Sequence, residues 1–331
     1  RHRHPVRPWH GTRRPASGTR PTTHVSARRC STRTATTWKN QPSGTLTDLQ
    51  AVSFTDPITG TVIGNNVILR TTDGGTTWTK QWEMPSDYLA DVFMTDANSG
   101  IVVGEEYSNT GPSRGRILRT TDGGATWISV RNDALTSLRG VSFSDGTNVI
   151  AVGNRSDSTG ISRGGILRTT DGGMTWAAQL MQPRTDFSGV SFADAASATI
   201  VGSTTDSLWN QYALILHSTN GGVTWTSELN GVRGSLFAVS FPDTSTGWAL
   251  GSGYDSRGTT RLLFRTTDAG ATWTPRSSPP TNYIYDLDFL DANRGVFVGD
   301  GGVIFRTTDG GISWTNQSGP VRGYLTDVSF S

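Results

Sequence analysis

Cysteine is all but missing: Cys30 is the only one in 331 residues. That excludes an intrachain disulfide and a metal site built on a cysteine cluster. Glutamate is nearly as rare, with Glu83, Glu105, Glu106 and Glu228 the only four. Four of the five histidines fall within the first 35 residues, which leaves His217 alone in the remainder and little scope for histidine-based catalysis. There is no stretch of about 20 apolar residues, so no helix is predicted to span a membrane. No segment holds a helical period. What is plentiful is glycine, at 40 residues, against only 17% charged residues, a balance that suits a turn-rich all-β protein.

The net charge of +2 hides an asymmetry. Residues 1–35 carry nine arginines and no acid, and the rest of the chain stands at −7 without them. Basic arms can bind nucleic acid or anionic membrane. This one has four prolines, no apolar periodicity, no initiating Met and no apolar signal-peptide core. Residues 1–35 therefore read as a disordered tail and residues 36–331 as a single domain, for which no nucleic-acid partner is expected.

Within that domain a tryptophan recurs at Trp38, Trp78, Trp127, Trp176, Trp225, Trp273 and Trp314, at steps of 40, 49, 49, 49, 48 and 41 residues. Six of them close almost the same string, from RTTDGGTTW at 70–78 to RTTDGGISW at 306–314. Upstream stands a second signature, such as AVSFTDPITGTVIG at 51–64 and GVSFSDGTNVIAVG at 140–153. Short apolar runs bounded by Gly, Asp, Asn and Ser read as strands joined by hairpins, four to a repeat. Repeats of this length build rings or arrays whose units bury one another's faces. Residues 35–41 resemble the last strand of a repeat, and residues 324–330 resemble a first strand. The expectation is a seven-bladed β-propeller of four-stranded antiparallel blades, its split and incomplete seventh blade closed by N- and C-terminal strands.

The turn before each tryptophan has its own chemistry. A carboxylate at Asp73, Asp122, Asp171, Asp268 and Asp309 can accept backbone N–H bonds within its own turn. Asn220 fills the fourth slot and can do the same. The glycines that follow supply positive φ. Six equivalent residues spread round a ring cannot converge on one site, so these positions read as architectural. Arg70, Arg119, Arg168, Arg265 and Arg306, with His217 in the fourth repeat, are expected to stack on aromatics or tie each blade to the next.

The string Thr-x-Asp-Gly-Gly-x-Thr-Trp matches the Asp-box, or BNR repeat. With VSFxDxxxGxxVG ahead of it, residues 36–331 resemble the Ycf48/Hcf136-like group of Asp-box propellers. That resemblance implies a photosystem II assembly or stability factor in phototrophs, a chaperone-like binder without catalysis. It implies a periplasmic or extracellular location for bacterial relatives. It also implies a protein partner, with polysaccharide an alternative, a monomeric state and no cofactor or metal. Sialidases and other glycoside hydrolases share Asp-boxes, so a secreted hydrolase is the rival reading.

In a four-stranded blade with strands a to d, the b–c and d–a loops share one face. The b–c connection is tight in the first and sixth repeats and expanded in the other four, over 105–116, 154–165, 203–213 and 252–261. Long loops on a rigid scaffold are where binding function concentrates. They hold Tyr107, Arg114, Arg116, Arg163, Trp209, Tyr212, Tyr254, Arg257 and Arg261, residue types enriched at interface hot spots. These are the candidate binding residues. For a hydrolase two convergent carboxylates would be needed; Asp157, Asp206 and Asp255 lie in the loops, but no spacing selects a pair, and no catalytic residue is assigned.

Overall fold

The computed structural model describes residues 24–26, 38–108, 113–130, 134–156, 160–229, 231–255, 258–279, 284–319 and 323–330. The described residues are all-β apart from one 3-10 turn at Asp300–Gly302. Its strands form six four-stranded antiparallel sheets, each a simple meander in chain order. Blades I to VI span 49–83, 87–130, 137–183, 185–227, 234–275 and 284–316. Their innermost strands are Leu49–Phe54, Asp87–Met94, Ser137–Phe143, Thr185–Phe192, Gly234–Ser240 and Ile284–Phe289.

Apolar alternation fixes which faces pack. The second and third strands are buried throughout in blade I, whereas the outermost, Thr79–Glu83, has no buried residue. The core clusters straddle blade borders. Ile63 and Ile68 of blade I pack with Leu89, Val92 and Leu118 of blade II, and Trp248 of blade V stacks on Phe289 of blade VI at 4.5 Å. A blade with two apolar faces needs a neighbour on each side, and the ring provides it.

Every first strand skips one residue of its pairing with the second, at Gln50, Ala90, Arg139, Ser188, Phe237 and Tyr285. Such bulges increase strand twist and turn the extra residue aside. A glycine of each second strand, Gly64, Gly104, Gly153, Gly202, Gly251 or Gly299, pairs beside the bulge. A Cβ on Gly104 or Gly153 would collide with the backbone carbonyl of Tyr88 or Ser137, closer than 3.0 Å.

The Asp-box turns are built as their chemistry requires. In blade I the Thr77 amide donates to Asp73 Oδ1 at 2.9 Å, Thr77 Oγ1 donates to Asp73 Oδ2 at 2.7 Å, and the Gly75 amide donates to Thr71 Oγ1 at 2.8 Å. Asn220 reproduces the pattern, accepting from the Thr224 amide at 2.9 Å and donating to Thr224 Oγ1 at 2.8 Å. Gly74 and Gly75 sit at φ 70° and 81°. The preceding arginines tie forward: Arg119 Nε donates to Gly172 O at 2.6 Å and Arg168 Nε to Gly221 O at 2.9 Å. Arg70 Nη2 donates to Ala97 O, and Arg265 lies 5.1 Å over the Trp248 ring. At the fourth position His217 Nδ1 and its cross-strand neighbour Thr199 Oγ1 are buried without partners.

The expected seventh blade is not formed. Six blades make up the propeller, and residues 324–330 run extended along the inner wall without a sheet of their own. Lys39–Gln41 pairs instead with His24–Ser26. A first-type and a last-type strand of one blade are separated by two others, and no described residues supply that middle pair. Trp38 and Phe330 nonetheless pack on one cluster with Val296, Val298, Ile304, Leu325 and Val328. The tail expected to be disordered lies outside the described residues, apart from His24–Ser26.

Hydrogen bonds hold the Asp73 and Asp309 carboxyls down at about 2, that from the Thr77 hydroxyl first for Asp73 and that from the Ser313 hydroxyl first for Asp309. A carboxyl held below its unfolded value contributes stability above about pH 4 that is lost as pH falls toward 2. Chemical unfolding followed by circular dichroism should show stability declining over that window. Asn220→Asp should steepen the decline, and an unchanged acid slope in that variant would count against this role of the turn.

Candidate functional site

The meander puts the b–c and d–a loops at one end of the ring and the Asp-boxes at the other. The expanded loops are continuations of the central hairpins. Second and third strands pair only as far as Ile63↔Ile68 in blade I and Val298↔Ile304 in blade VI. They pair out to Glu106↔Arg114, Ser156↔Ser162, Thr205↔Gln211 and Asp255↔Gly258 in blades II to V. Among the described residues, all five exposed aromatic side chains, Tyr88, Tyr107, Trp209, Tyr254 and Tyr324, lie at this end.

The candidate residues separate into distinct roles. Tyr107 and Tyr254 are exposed at hairpin ends in blades II and V. Arg114, Arg163 and Arg261 lie on third strands near the same rim, with Arg163 opposite Arg155. Arg116 is drawn inside blade II, where Nε and Nη2 donate to Asp87 Oδ1 at 2.9 and 2.6 Å and Nη1 to Ser129 Oγ at 2.9 Å. Trp82 Nε1 also donates to Asp87, at 3.2 Å. Arg257 and Asp157 lie outside the described residues.

Blade IV carries the best-defined feature. Asp206 folds the tip of its hairpin on itself. Oδ1 accepts the Leu208 and Asn210 amides at 2.8 and 2.9 Å, and Oδ2 accepts Asn210 Nδ2 at 2.8 Å and Tyr212 Oη at 3.4 Å. These bonds, that from the Asn210 side chain first, hold the Asp206 carboxyl below the ordinary carboxylate range. A carboxyl so engaged is a turn former, unsuited to donating a proton to a leaving group. The turn holds Trp209 at φ 65° and displays Leu208 and Trp209 at 79% and 72% exposure. A tryptophan in the left-handed region is uncommon and persists only when its surroundings impose it.

Two arginines that sequence reasoning missed flank this turn. Arg184, itself at φ 57°, lies 5.4 Å over the Trp209 ring and donates Nη1 to Asp206 O at 3.1 Å. Arg233 lies 5.8 Å over the Tyr212 ring and donates Nη1 to Asn210 Oδ1 at 3.2 Å. Their anchors are a carbonyl and an amide oxygen, so neither charge is neutralised by a carboxylate among the described residues. Each stands just before the first strand of a blade, in a d–a linker that opens on the same face as the b–c loops; that position was the available signal.

At the axis, the first strands and residues 326–330 enclose a channel of about 430 Å³. It is lined by Asp91, Asp286, Asp288 and Asp327, with Arg139 its one basic residue among those described. No group of three or more His, Cys, Asp or Glu among the described residues is placed to hold a metal ion.

A family profile described as photosynthesis system II assembly factor YCF48 matches residues 30–204. Among solved structures, YCF48 bound to D1 peptide is similar at 18% identity and a TM-score of 0.59, over 86% of this chain and 87% of that one. YCF48 from Cyanidioschyzon merolae is similar at 22% identity and a TM-score of 0.57, over 85% and 88%. An ancestral GH74 enzyme shares the fold at 15% identity and a TM-score of 0.60, over 78% of this chain and 36% of its own. No curated protein sequence matches.

Arg116→Ala should cost about 3–5 kcal/mol, because it strands the buried Asp87 carboxylate. Tyr254→Ser, at an exposed rim position, should stay within about 0.5 kcal/mol. Urea unfolding of both variants separates the internal tie from the free rim, and equal effects would contradict the division.

Proposed function

This chain belongs to the photosynthesis system II assembly factor YCF48 family, and from that premise we propose that it is a non-catalytic binding scaffold that engages a protein segment through its loop face. The observation that carries the proposal is the turn at 206–210. A Leu208–Trp209 pair stands in solvent between Arg184 and Arg233, two guanidinium groups without carboxylate partners among the described residues. Large amphipathic side chains held in one conformation lose little entropy on binding, and Trp, Tyr and Arg dominate interface energetics. Tyr254 extends the surface onto the adjacent blade V, and Tyr107 stands at the same end on blade II. A YCF48 structure bound to D1 peptide supports a photosystem II polypeptide as the kind of partner.

A glycoside-hydrolase reading finds less support. Likeness to a GH74 enzyme at 15% identity speaks for the fold alone. Asp206, the candidate carboxyl of the loop face whose side chain is described, is consumed by its own turn.

Titration with D1 peptide, followed by calorimetry or by tryptophan emission, tests the reading. Trp209→Ala should weaken binding by about tenfold or more, and Arg184→Ala with Arg233→Ala by a similar factor, with melting temperature nearly unchanged. Full affinity in both variants would remove the loop face from the interface. Turnover of sialosides or β-glucan oligosaccharides, abolished by Asp206→Asn, would overturn the scaffold assignment.

A further inference from the structure

The inner wall of the ring has a seam unlike its other borders. Residues 324–330 share no strand ladder with blade VI or blade I. Backbone bonds fasten only their start, where the Leu325 amide donates to Gly299 O at 3.1 Å and the Gly302 amide to Gly323 O at 2.7 Å. Further along, side-chain oxygens do the holding. On the blade VI side the Val328 amide donates to Asp286 Oδ2 at 3.0 Å and the Phe330 amide to Asp288 Oδ2 at 2.7 Å. On the blade I side the Val52 amide donates to Asp327 Oδ2 at 2.6 Å and the Phe54 amide to Ser329 Oγ at 3.3 Å, while Thr326 Oγ1 donates to Leu49 O at 3.1 Å.

Two carboxyls converge at this seam. The Val328 amide donates to Asp286 Oδ2 at 3.0 Å and also to Asp327 Oδ1 at 2.9 Å, so oxygens of both side chains crowd round one N–H. Two ionised carboxylates that close have only acceptors and repel, whereas a proton on one lets it donate to the other. We propose that a single proton shared between Asp286 and Asp327 latches the ring shut, and that losing it loosens residues 324–330 from blade VI. The proposal concerns ring closure and does not rest on the binding role of the loop face.

The surroundings favour the protonated latch. The other titratable or charged groups lining the channel are Asp91, Asp288, Tyr285 and Arg139. Gln41, Ser43 and Gln50 are the polar side chains beside Asp327 and Thr326 in the small cavity toward blade I. Two further carboxyls against one guanidinium leave the pair in a field that opposes a second negative charge. Burial, the largest cause, raises Asp286 and Asp288 to about 6 and Asp91 to about 7, and raises Asp327 well above the usual carboxylate range. Carboxyls raised above their unfolded value contribute stability that is full below about pH 4 and lost as pH climbs through 6 to 7 and beyond. The sense is opposite to that of the Asp-box carboxyls, which places maximal stability between the two windows.

The test is hydrogen exchange of the Val52, Val328 and Phe330 amides in the full chain from pH 5.5 to 8.5, corrected for intrinsic exchange, alongside urea unfolding. Protection of these three amides should fall by about tenfold or more across that range, while amides in the middle strands of blades III and IV hold theirs. Asp327→Asn carries no ionisable proton and should remove most of the dependence. Flat protection in the wild type, or an undiminished slope in Asp327→Asn, would overturn the latch. Should that variant fail to fold, Asp286→Asn replaces it, and the wild-type profile decides in either case.

Discussion

An innermost propeller strand has one edge with no sheet beside it. Its amides there are shielded from bulk water by the neighbouring blades and must still find acceptors. This chain answers with short oxygen-bearing side chains that reach across each border. The Met94 amide donates to Ser53, the Phe192 amide to Ser142 and the Val141 amide to Asp91. The recurring Val-Ser-Phe of the repeat is thus a connector as well as a strand. It sets how closely blades approach at the axis, and through that the width of the channel and the spread of the loops above it.

Much of this was legible in the sequence, because strands, turns and their order depend on local chemistry that each repeat states again. The exchange of Asp for Asn220 shows that the Asp-box is read through its hydrogen bonds, which either side chain can make. The number of blades was not legible in the same way. Residues 324–330 carry the pattern of a first strand, and that pattern records which side chains face inward without recording whether a second strand lies alongside. Arg116 shows a related blind spot. By position it belongs to an expanded loop, but its register opposite Gly104 turns it onto Asp87. Arg184 and Arg233 stand outside the repeat signatures, and only the folded ring brings them to either side of Trp209.

The architecture keeps the Asp-box turns and the expanded hairpins at opposite ends of the blades. The Asp-boxes and forward-reaching arginines lie at one end, whereas the hairpins of blades II to V extend beyond the sheets at the other. Because each hairpin continues a buried ladder, length added at its tip leaves the core contacts beneath it unchanged. The Asp206 turn takes this furthest: its carboxylate is spent on four bonds within the hairpin, and the outcome is a tryptophan held in solvent.

His217 gives the ring a mechanical property that its symmetry conceals. Arg70, Arg119 and Arg168 each fasten their blade to the next, whereas His217, facing Gly270, leaves its own Nδ1 and Thr199 Oγ1 unmatched. Blades I to IV are laced into one stiff arc, and the lacing stops at the border between IV and V. Arg265 Nε is likewise buried without a partner, so the borders from blade IV to blade VI lack the tie that the first three share. The hairpins that carry Trp209 and Tyr254 rise from the two blades whose forward tie is missing.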